Sequence, residues 1–95
     1  MKLVLAIYNG TNDRLLPELF DRHEAGYTEF RGAHGAGHTG RLDGTRAWPG
    51  DAAVFFSVVP ADRVTGLTND LREQAAGLEP GERLHIAVLP TDTFF

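Results

Sequence analysis

The sequence lacks cysteine, and Lys2 is its only lysine. Without cysteine, disulfide frameworks, thiolate nucleophiles and cysteine-based metal sites such as zinc ribbons are excluded. No apolar run approaches the roughly 18–20 residues that a membrane-spanning helix needs. The apolar segment 1–8 ends at Asn9-Gly10 without the long apolar region and cleavage site of a secretory signal. We therefore expect a cytoplasmic protein without direct membrane insertion.

The sequence is also poor in positive charge, with nine basic against 13 acidic residues and a net charge of −4. Proteins that bind nucleic acid usually present a basic face, so we expect no nucleic-acid partner. Segment 31–50 is the exception, because it holds three arginines, one aspartate and six of the eleven glycines. Long connections inside a compact domain usually carry function, so ligand contacts are expected in this segment.

Recognisable catalytic constellations are missing as well. There is no G-x-S-x-G nucleophile motif, and no pair of carboxylates stands out from the ordinary solvated acids. The sequence therefore predicts a protein that is not an enzyme.

The length of 95 residues predicts a single domain spanning residues 1–95. A chain of this size buries only about 60–65% of the surface that its unfolded form exposes. A small domain gains apolar burial by sharing an interface, and Thr93-Phe94-Phe95 adds apolar surface. Homo-oligomerisation is therefore expected on size alone.

Hydrophobic periodicity predicts the order β-α-β-β-α-β. The second helix is the clearest element, because apolar residues recur at spacings of three and four from Val64 to Leu78. The predicted strands cover residues 2–8, 27–31, 52–59 and 83–89. The first helix is expected within 11–25, with Asn12 and Asp13 as cap candidates and Gly26 as its stop, and a long loop covers about 32–50. This order predicts a ferredoxin-like α+β fold, in which a four-stranded antiparallel sheet carries both helices on one face. The first and third strands are the most apolar and are expected in the middle.

The segment from Gly35 to Gly40 satisfies the pattern G-x-G-x-x-G of dinucleotide-binding turns. That device needs a helix directly after the glycines, and Arg41-Leu42-Asp43-Gly44 follows instead, so no Rossmann site is expected. The glycines still allow backbone amides to approach an anion, and the neighbouring arginines add positive charge. A flexible hairpin tip without a ligand is the alternative.

Two histidines, His34 and His38, lie in the same segment. Imidazole is a common ligand of divalent metals, so a folded loop could bring the two rings together with Asp43 or His23 as a third ligand. Solvated histidines bonded to the backbone are the alternative. His85 lies inside the fourth predicted strand, where we expect a packed or interface histidine rather than a ligand.

Five features carry a family resemblance. They are Met1-Lys2-Leu3, Gly26-Tyr27-Thr28, the glycines after the second strand, the join from Ser57 to Asp62, and Gly81-Glu82-Arg83. With these segments in the predicted order, the sequence resembles the PII-like signal-transduction proteins over nearly its whole length. The segment 26–40, followed by Arg46 to Gly50, is similar to a short-loop branch of that superfamily more than to the nitrogen regulators proper.

The resemblance implies a homotrimer that binds an adenine nucleotide (AMP, ADP or ATP) in clefts between subunits. It also implies regulation of a partner protein, such as a membrane transporter or an enzyme, through the long loop. Thr28 and Val58 would flank the adenine.

The resemblance implies further ligand contacts at the glycines. Gly35 and Gly37 would bring backbone amides near the phosphates, and Gly81 with Arg83 would close the cleft from the opposite side. Gly32-Ala33-His34 competes with Gly35-Ala36-Gly37 for the phosphate role.

Three departures from the nitrogen regulators limit the resemblance. Arg83 stands where they carry a lysine, the loop 32–50 has no modifiable tyrosine, and segment 91–95 lacks their pair of arginines. We therefore expect weak triphosphate binding and no uridylylation, while AMP, ADP, bicarbonate or no ligand stay open.

The leading hypothesis is a non-enzymatic, trimeric PII-like sensor. One alternative is a metal-binding trimer resembling the CutA-type proteins, which would use His34 and His38. A structural trimer without a ligand is the third.

Overall fold

The structure, a computed structural model, describes residues 1–35 and 52–95. Its elements are β1 (Lys2–Asn9), α1 (Leu15–Arg22), β2 (Thr28–Ala33), β3 (Ala52–Val59), α2 (Val64–Ala76) and β4 (Arg83–Pro90), with a 3-10 turn at Ala61–Arg63 before α2. The predicted residues Gly37 and His38, and most of the predicted loop, lie outside the described residues. No helix of the described chain is long and apolar enough to cross a bilayer.

The four strands form one sheet in the order β2-β3-β1-β4. All three neighbouring pairs are antiparallel, with Ala6 opposite Phe55 on β3 and opposite Ile86 on β4. The two most apolar strands, β1 and β3, are central because each pairs on both sides. The predicted ferredoxin-like fold is confirmed.

The core lies between the sheet and the two helices. Alternate residues of β1 and β3 point toward the helices, as the period of two in a strand requires. Phe20 of α1 stacks on Tyr27 and Phe55, with ring centroids 5.3 and 5.8 Å apart. The buried cluster comprises Val4, Ala6, Tyr8, Leu16, Leu19, Phe20, Ala25, Ala53, Phe55, Val59, Leu67, Leu71 and Leu84.

The one buried polar side chain of this core, among the described residues, is Ser57. Its hydroxyl donates a 2.6 Å hydrogen bond to the carbonyl of Gly26. The bond satisfies the hydroxyl and ties β3 to the segment that leads into β2.

The helix α1 uses neither predicted cap candidate, Asn12 or Asp13, as its N-cap, which is Arg14. Asn12 forms a turn instead, because its side-chain oxygen accepts a hydrogen bond from the Arg14 amide and its carbonyl accepts one from the Leu15 amide. Such local bonds are why asparagine favours turns and caps over helix interiors. The helix therefore starts at Leu15.

The predicted stop of α1 at Gly26 is wrong. The Ala25 amide donates to the Phe20 carbonyl and the Glu24 amide to the Asp21 carbonyl, which is the Schellman arrangement. Glu24 takes the left-handed conformation with φ of 51°. The helix therefore ends at Arg22. Glu24, and not a glycine, takes the left-handed conformation after it, although glycine adopts that conformation more readily.

Two other boundaries differ by a few residues. β2 extends to Ala33 rather than residue 31, through an irregularity in its pairing with β3 between Phe30 and Ala33. Gly32 lies in this irregularity with φ of 73°, which glycine adopts without strain. α2 ends at Ala76 rather than residue 78. The predicted loop therefore starts after β2, and its first two residues belong to that strand.

The helices are joined at their surface by His23, which follows α1, and Asp70 of α2. The Asp70 carboxylate lies 2.9 Å from His23 Nε2 and 3.1 Å from Arg22 Nη2. Burial alone would raise the pKa of Asp70, but the hydrogen bonds from His23 and Arg22 outweigh it and hold that pKa below the usual value. The carboxylate thus stabilises the docking of the two helices.

The lowered pKa predicts an acid-sensitive contribution to stability. It is fully present above the unfolded pKa of about 3.9 and is lost as the pH falls through the folded pKa. We expect Asp70→Asn to lower the free energy of unfolding by about 1 kcal/mol near pH 7, with little loss near pH 2. Urea unfolding at both pH values measures this. An equal loss at the two pH values would contradict the assignment.

Candidate functional site

The face of the sheet opposite the helices is largely apolar, and among the described residues most of it is exposed or only partly buried, apart from the buried Ala52 at one end. This surface, the open face, comprises Leu3, Leu5, Ile7, Asn9, Thr28, Phe30, Ala52, Val54, Phe56, Val58, Arg83, His85, Ala87 and Leu89. Phe30 is 55% exposed and Phe56 is 37% exposed. Their rings meet edge to face with centroids 5.7 Å apart. None of these described residues is acidic, although the chain is acidic overall.

The glycine turn before β4 is a type II turn. The Glu82 amide donates a 3.0 Å hydrogen bond to the Glu79 carbonyl, and Gly81 has φ of 90°. This geometry places Pro80 and Gly81 at the positions that such turns prefer for them. The turn is further held by Glu82, whose carboxylate accepts hydrogen bonds from the Thr11 amide and hydroxyl at 3.1 and 3.2 Å.

Glu82 is a positioning residue that the sequence interpretation missed. It reaches a residue 71 positions away in the chain, and no local pattern marks such a contact. The contact between Glu82 and Thr11 follows from the topology instead. Asn9 pairs with Arg83, which brings the segment after β1 next to the segment before β4.

The base of the long loop is neutralised rather than basic. Arg31 of β2 lies 3.0 Å from Asp13 Oδ1 and 2.8 Å from Glu29 Oε2, the latter as an ionic contact without hydrogen-bond alignment. Hydrogen bonding to Asp13 raises the pKa of the Arg31 guanidinium, which stays charged. The predicted basic character of segment 31–50 is therefore offset at Arg31 by two acids from outside that segment.

Tyr8 lies near Glu82 and lines the same small cavity as Arg31. Its buried hydroxyl accepts a 3.1 Å hydrogen bond from the Asn12 amide. Burial raises the pKa of this hydroxyl, and the neighbouring Glu82 carboxylate acts in the same direction, so the phenol stays protonated. Gly10 leaves the space that the ring needs, because a Cβ there would lie 2.3 Å from the Tyr8 oxygen.

The structure separates the predicted site residues into two groups. Thr28 is opposite Phe56, so Thr28 and Val58 are diagonal neighbours at one end of the open face. Gly35 lies two residues beyond Ala33, the last residue of β2, at the opposite end of that strand. Thr28 and Gly35 are seven residue steps apart, a distance of about 20 Å for a nearly extended segment.

The second group also includes the glycine turn. Arg83 pairs with Asn9, and Ala52, the other partner of Asn9, pairs with Ala33. Gly81 and Arg83 therefore lie at the same end of the sheet as the start of the loop. Among the described residues, those expected to flank the adenine and those expected to lie near the phosphates are therefore not brought together within one chain.

Only one of the two predicted metal ligands lies among the described residues. His34 is exposed just after β2, and His38 lies outside the described residues. Within residues 1–35 and 52–95, no three metal-ligating side chains gather. Metal binding by His34 and His38 stays a prediction.

Comparisons with solved structures bear on the fold. CPII from Thiomonas intermedia K12, bound to ADP and bicarbonate, superposes with a TM-score of 0.68 and 18% identity, covering 93% of this chain and 84% of CPII. The fold is that of the PII-like proteins. A second structure of CPII, a nitrogen regulatory PII-like protein bound to ADP, AMP and bicarbonate, superposes with a TM-score of 0.67 and 17% identity. The match covers 93% of this chain and 90% of CPII.

A third structure, a proposed PII-like signalling protein from Thermus thermophilus, gives a TM-score of 0.60 at 21% identity, covering 92% of this chain and 82% of that protein. Neither a protein-family model nor a curated protein matches the sequence. The resemblance expected from the sequence is therefore confirmed at the level of the fold.

The left-handed φ of Gly81 predicts a cost for any side chain in the turn. A Cβ on Gly81 or on Gly66 of α2 would meet no atom within 4 Å, so the two positions differ in backbone conformation alone. We expect Gly81→Ala to lower the free energy of unfolding by about 1 kcal/mol and Gly66→Ala to raise it by up to about 1 kcal/mol. Urea unfolding of both variants measures this. Equal effects of the same sign would show that φ at Gly81 does not matter.

Proposed function

We propose that this chain is a non-enzymatic PII-like signalling protein. It assembles into a homotrimer, binds an adenine nucleotide in clefts between subunits, and regulates a partner protein through the long loop. The observation that carries the proposal is the open face, the apolar side of a PII-like sheet that residues 1–35 and 52–95 leave largely uncovered.

The open face supports assembly between copies of this chain. Monomeric proteins rarely expose large contiguous apolar patches, and such patches mark interaction surfaces. An acidic partner surface would find only Arg83 and His85, among the described residues, to pair with, whereas a second open face is apolar and also lacks acids. Like surfaces therefore fit each other without charge repulsion between carboxylates.

The division of the predicted site supports a ring rather than a two-fold dimer. Head-to-tail contacts place one end of a protomer against the other end of its neighbour, and they close into a ring when the rotation permits. Such a ring would bring Thr28 and Val58 of one protomer toward Gly35, Gly81 and Arg83 of the next. The PII-like resemblance sets the number of protomers at three.

Charge supports an effector with few negative charges. At the phosphate end, Arg31 is already paired with Asp13 and Glu29. Glu82 adds a further carboxylate at the phosphate end. Arg83 therefore supplies much of the positive charge that the described residues offer to a phosphate. We expect AMP or ADP to bind in preference to ATP. The CPII structures hold ADP, AMP and bicarbonate.

The long loop supplies the proposed output. Glycine permits many backbone conformations, and the proposal is that modest ligand contacts at the base of segment 31–50, which holds six glycines, select one of them. The partner would be a membrane transporter or an enzyme that recognises that arrangement.

A charge on the open face should break the assembly. We expect Phe56→Asp to convert a trimer into monomers, because three carboxylates would be desolvated at the interface. Val88→Asp is the matched control, since Val88 is 43% exposed but lies on the helix side of β4. Sedimentation equilibrium measures both. An unchanged mass for Phe56→Asp, or a wild-type monomer, would contradict the proposal.

Nucleotide binding is tested by calorimetry with AMP, ADP and ATP. We expect ADP or AMP to bind, and Arg83→Ala to weaken the affinity by about tenfold through loss of a charged contact to phosphate. Arg72→Ala, which removes an exposed arginine of α2, is the control and should leave the affinity unchanged. Failure of all three nucleotides to bind at millimolar concentration would remove the nucleotide from the proposal.

A further inference from the structure

Among the described residues of the open face, His85 is the only histidine, and neither an acid nor a lysine accompanies it. It lies on β4 directly opposite Ile7 of β1, while its neighbours Leu84 and Ile86 point toward the helices and join the core. In the single chain the imidazole is exposed, so either protonation state is solvated there.

The surroundings of His85 on the described strands hold nothing that would neutralise an added proton. From β1, Leu5, Ile7 and Asn9 share the open face near it, and none of them is ionisable. On β4 itself, the neighbours on the same face are Ala87 and Arg83, and Arg83 already carries a positive charge. No carboxylate from the described strands faces the imidazole.

Assembly through the open face would take His85 out of water. A neutral imidazole tolerates such a site because only one N–H needs a partner, whereas an imidazolium would be buried beside apolar side chains and near Arg83. Each protomer contributes one His85, so the free-energy cost of burying an imidazolium applies once for every subunit. Protonation of His85 therefore opposes assembly.

We propose that His85 makes the assembly of this protein pH-dependent, with the neutral imidazole favouring the trimer and the imidazolium favouring separated chains. Histidine is the side chain suited to this, because it changes charge between about pH 5 and pH 8. The inference rests on the proposed assembly through the open face. Because the proposed effector cleft needs two protomers, acidification would also release the effector.

The test measures the concentration at which half of the chains are assembled, by sedimentation, at about pH 8 and about pH 5.5. For the wild type we expect this concentration to rise by about tenfold or more on acidification. His85→Gln keeps a neutral polar side chain and should assemble alike at both pH values. His85→Lys carries a fixed charge and should assemble weakly at both.

His23→Gln is the matched control, because His23 lies on the helix side, bonded to Asp70. It should keep the pH dependence of the wild type. Equal acid dissociation in wild type and His85→Gln would overturn the inference, as would a wild-type trimer equally stable at both pH values. A wild type that is monomeric even at about pH 8 would overturn the assembly itself, which distinguishes the two failures.

Discussion

Both faces of the central strands are apolar, but the two helices cover only one of them. On β1, Val4, Ala6 and Tyr8 are buried under the helices, whereas Leu3, Leu5 and Ile7 are only partly buried on the other side. A strand with apolar residues on both sides needs two covers, because exposed apolar area is unfavourable in water. Under the proposed assembly, copies of the same chain supply the second cover.

The same constraint gives the proposed effector cleft its form. The described residues expected to hold adenine and those expected to hold phosphate lie at opposite ends of the sheet, and the proposal therefore builds the cleft from two protomers. The segment after β1 organises the phosphate end, because Thr11 holds Glu82 beside the glycine turn and Asp13 holds Arg31 at the base of the loop. The glycine turn and the base of the loop are distant in sequence, and both are thereby attached to the short segment between β1 and α1.

The topology was predictable from periodicity because apolar spacing and strand alternation depend on which side of each element is buried. The boundaries of the helices and strands were less predictable from the sequence. α1 is shorter than the predicted segment 11–25 because Asn12 bonds locally and Glu24, rather than a glycine, takes the left-handed position. The predicted ligand contacts stay a prediction, and the sequence did not show which side chains pair near them. The pairing of Arg31 with Asp13 and Glu29 joins three segments, and a one-dimensional pattern does not display such contacts.

The most direct test of the central claim is the solution mass of the unmodified protein, measured by light scattering near neutral pH over a range of concentrations. Cover of the open face by copies of the chain predicts a mass three times that of the 10.4 kDa chain. A mass of one chain at every concentration would contradict it.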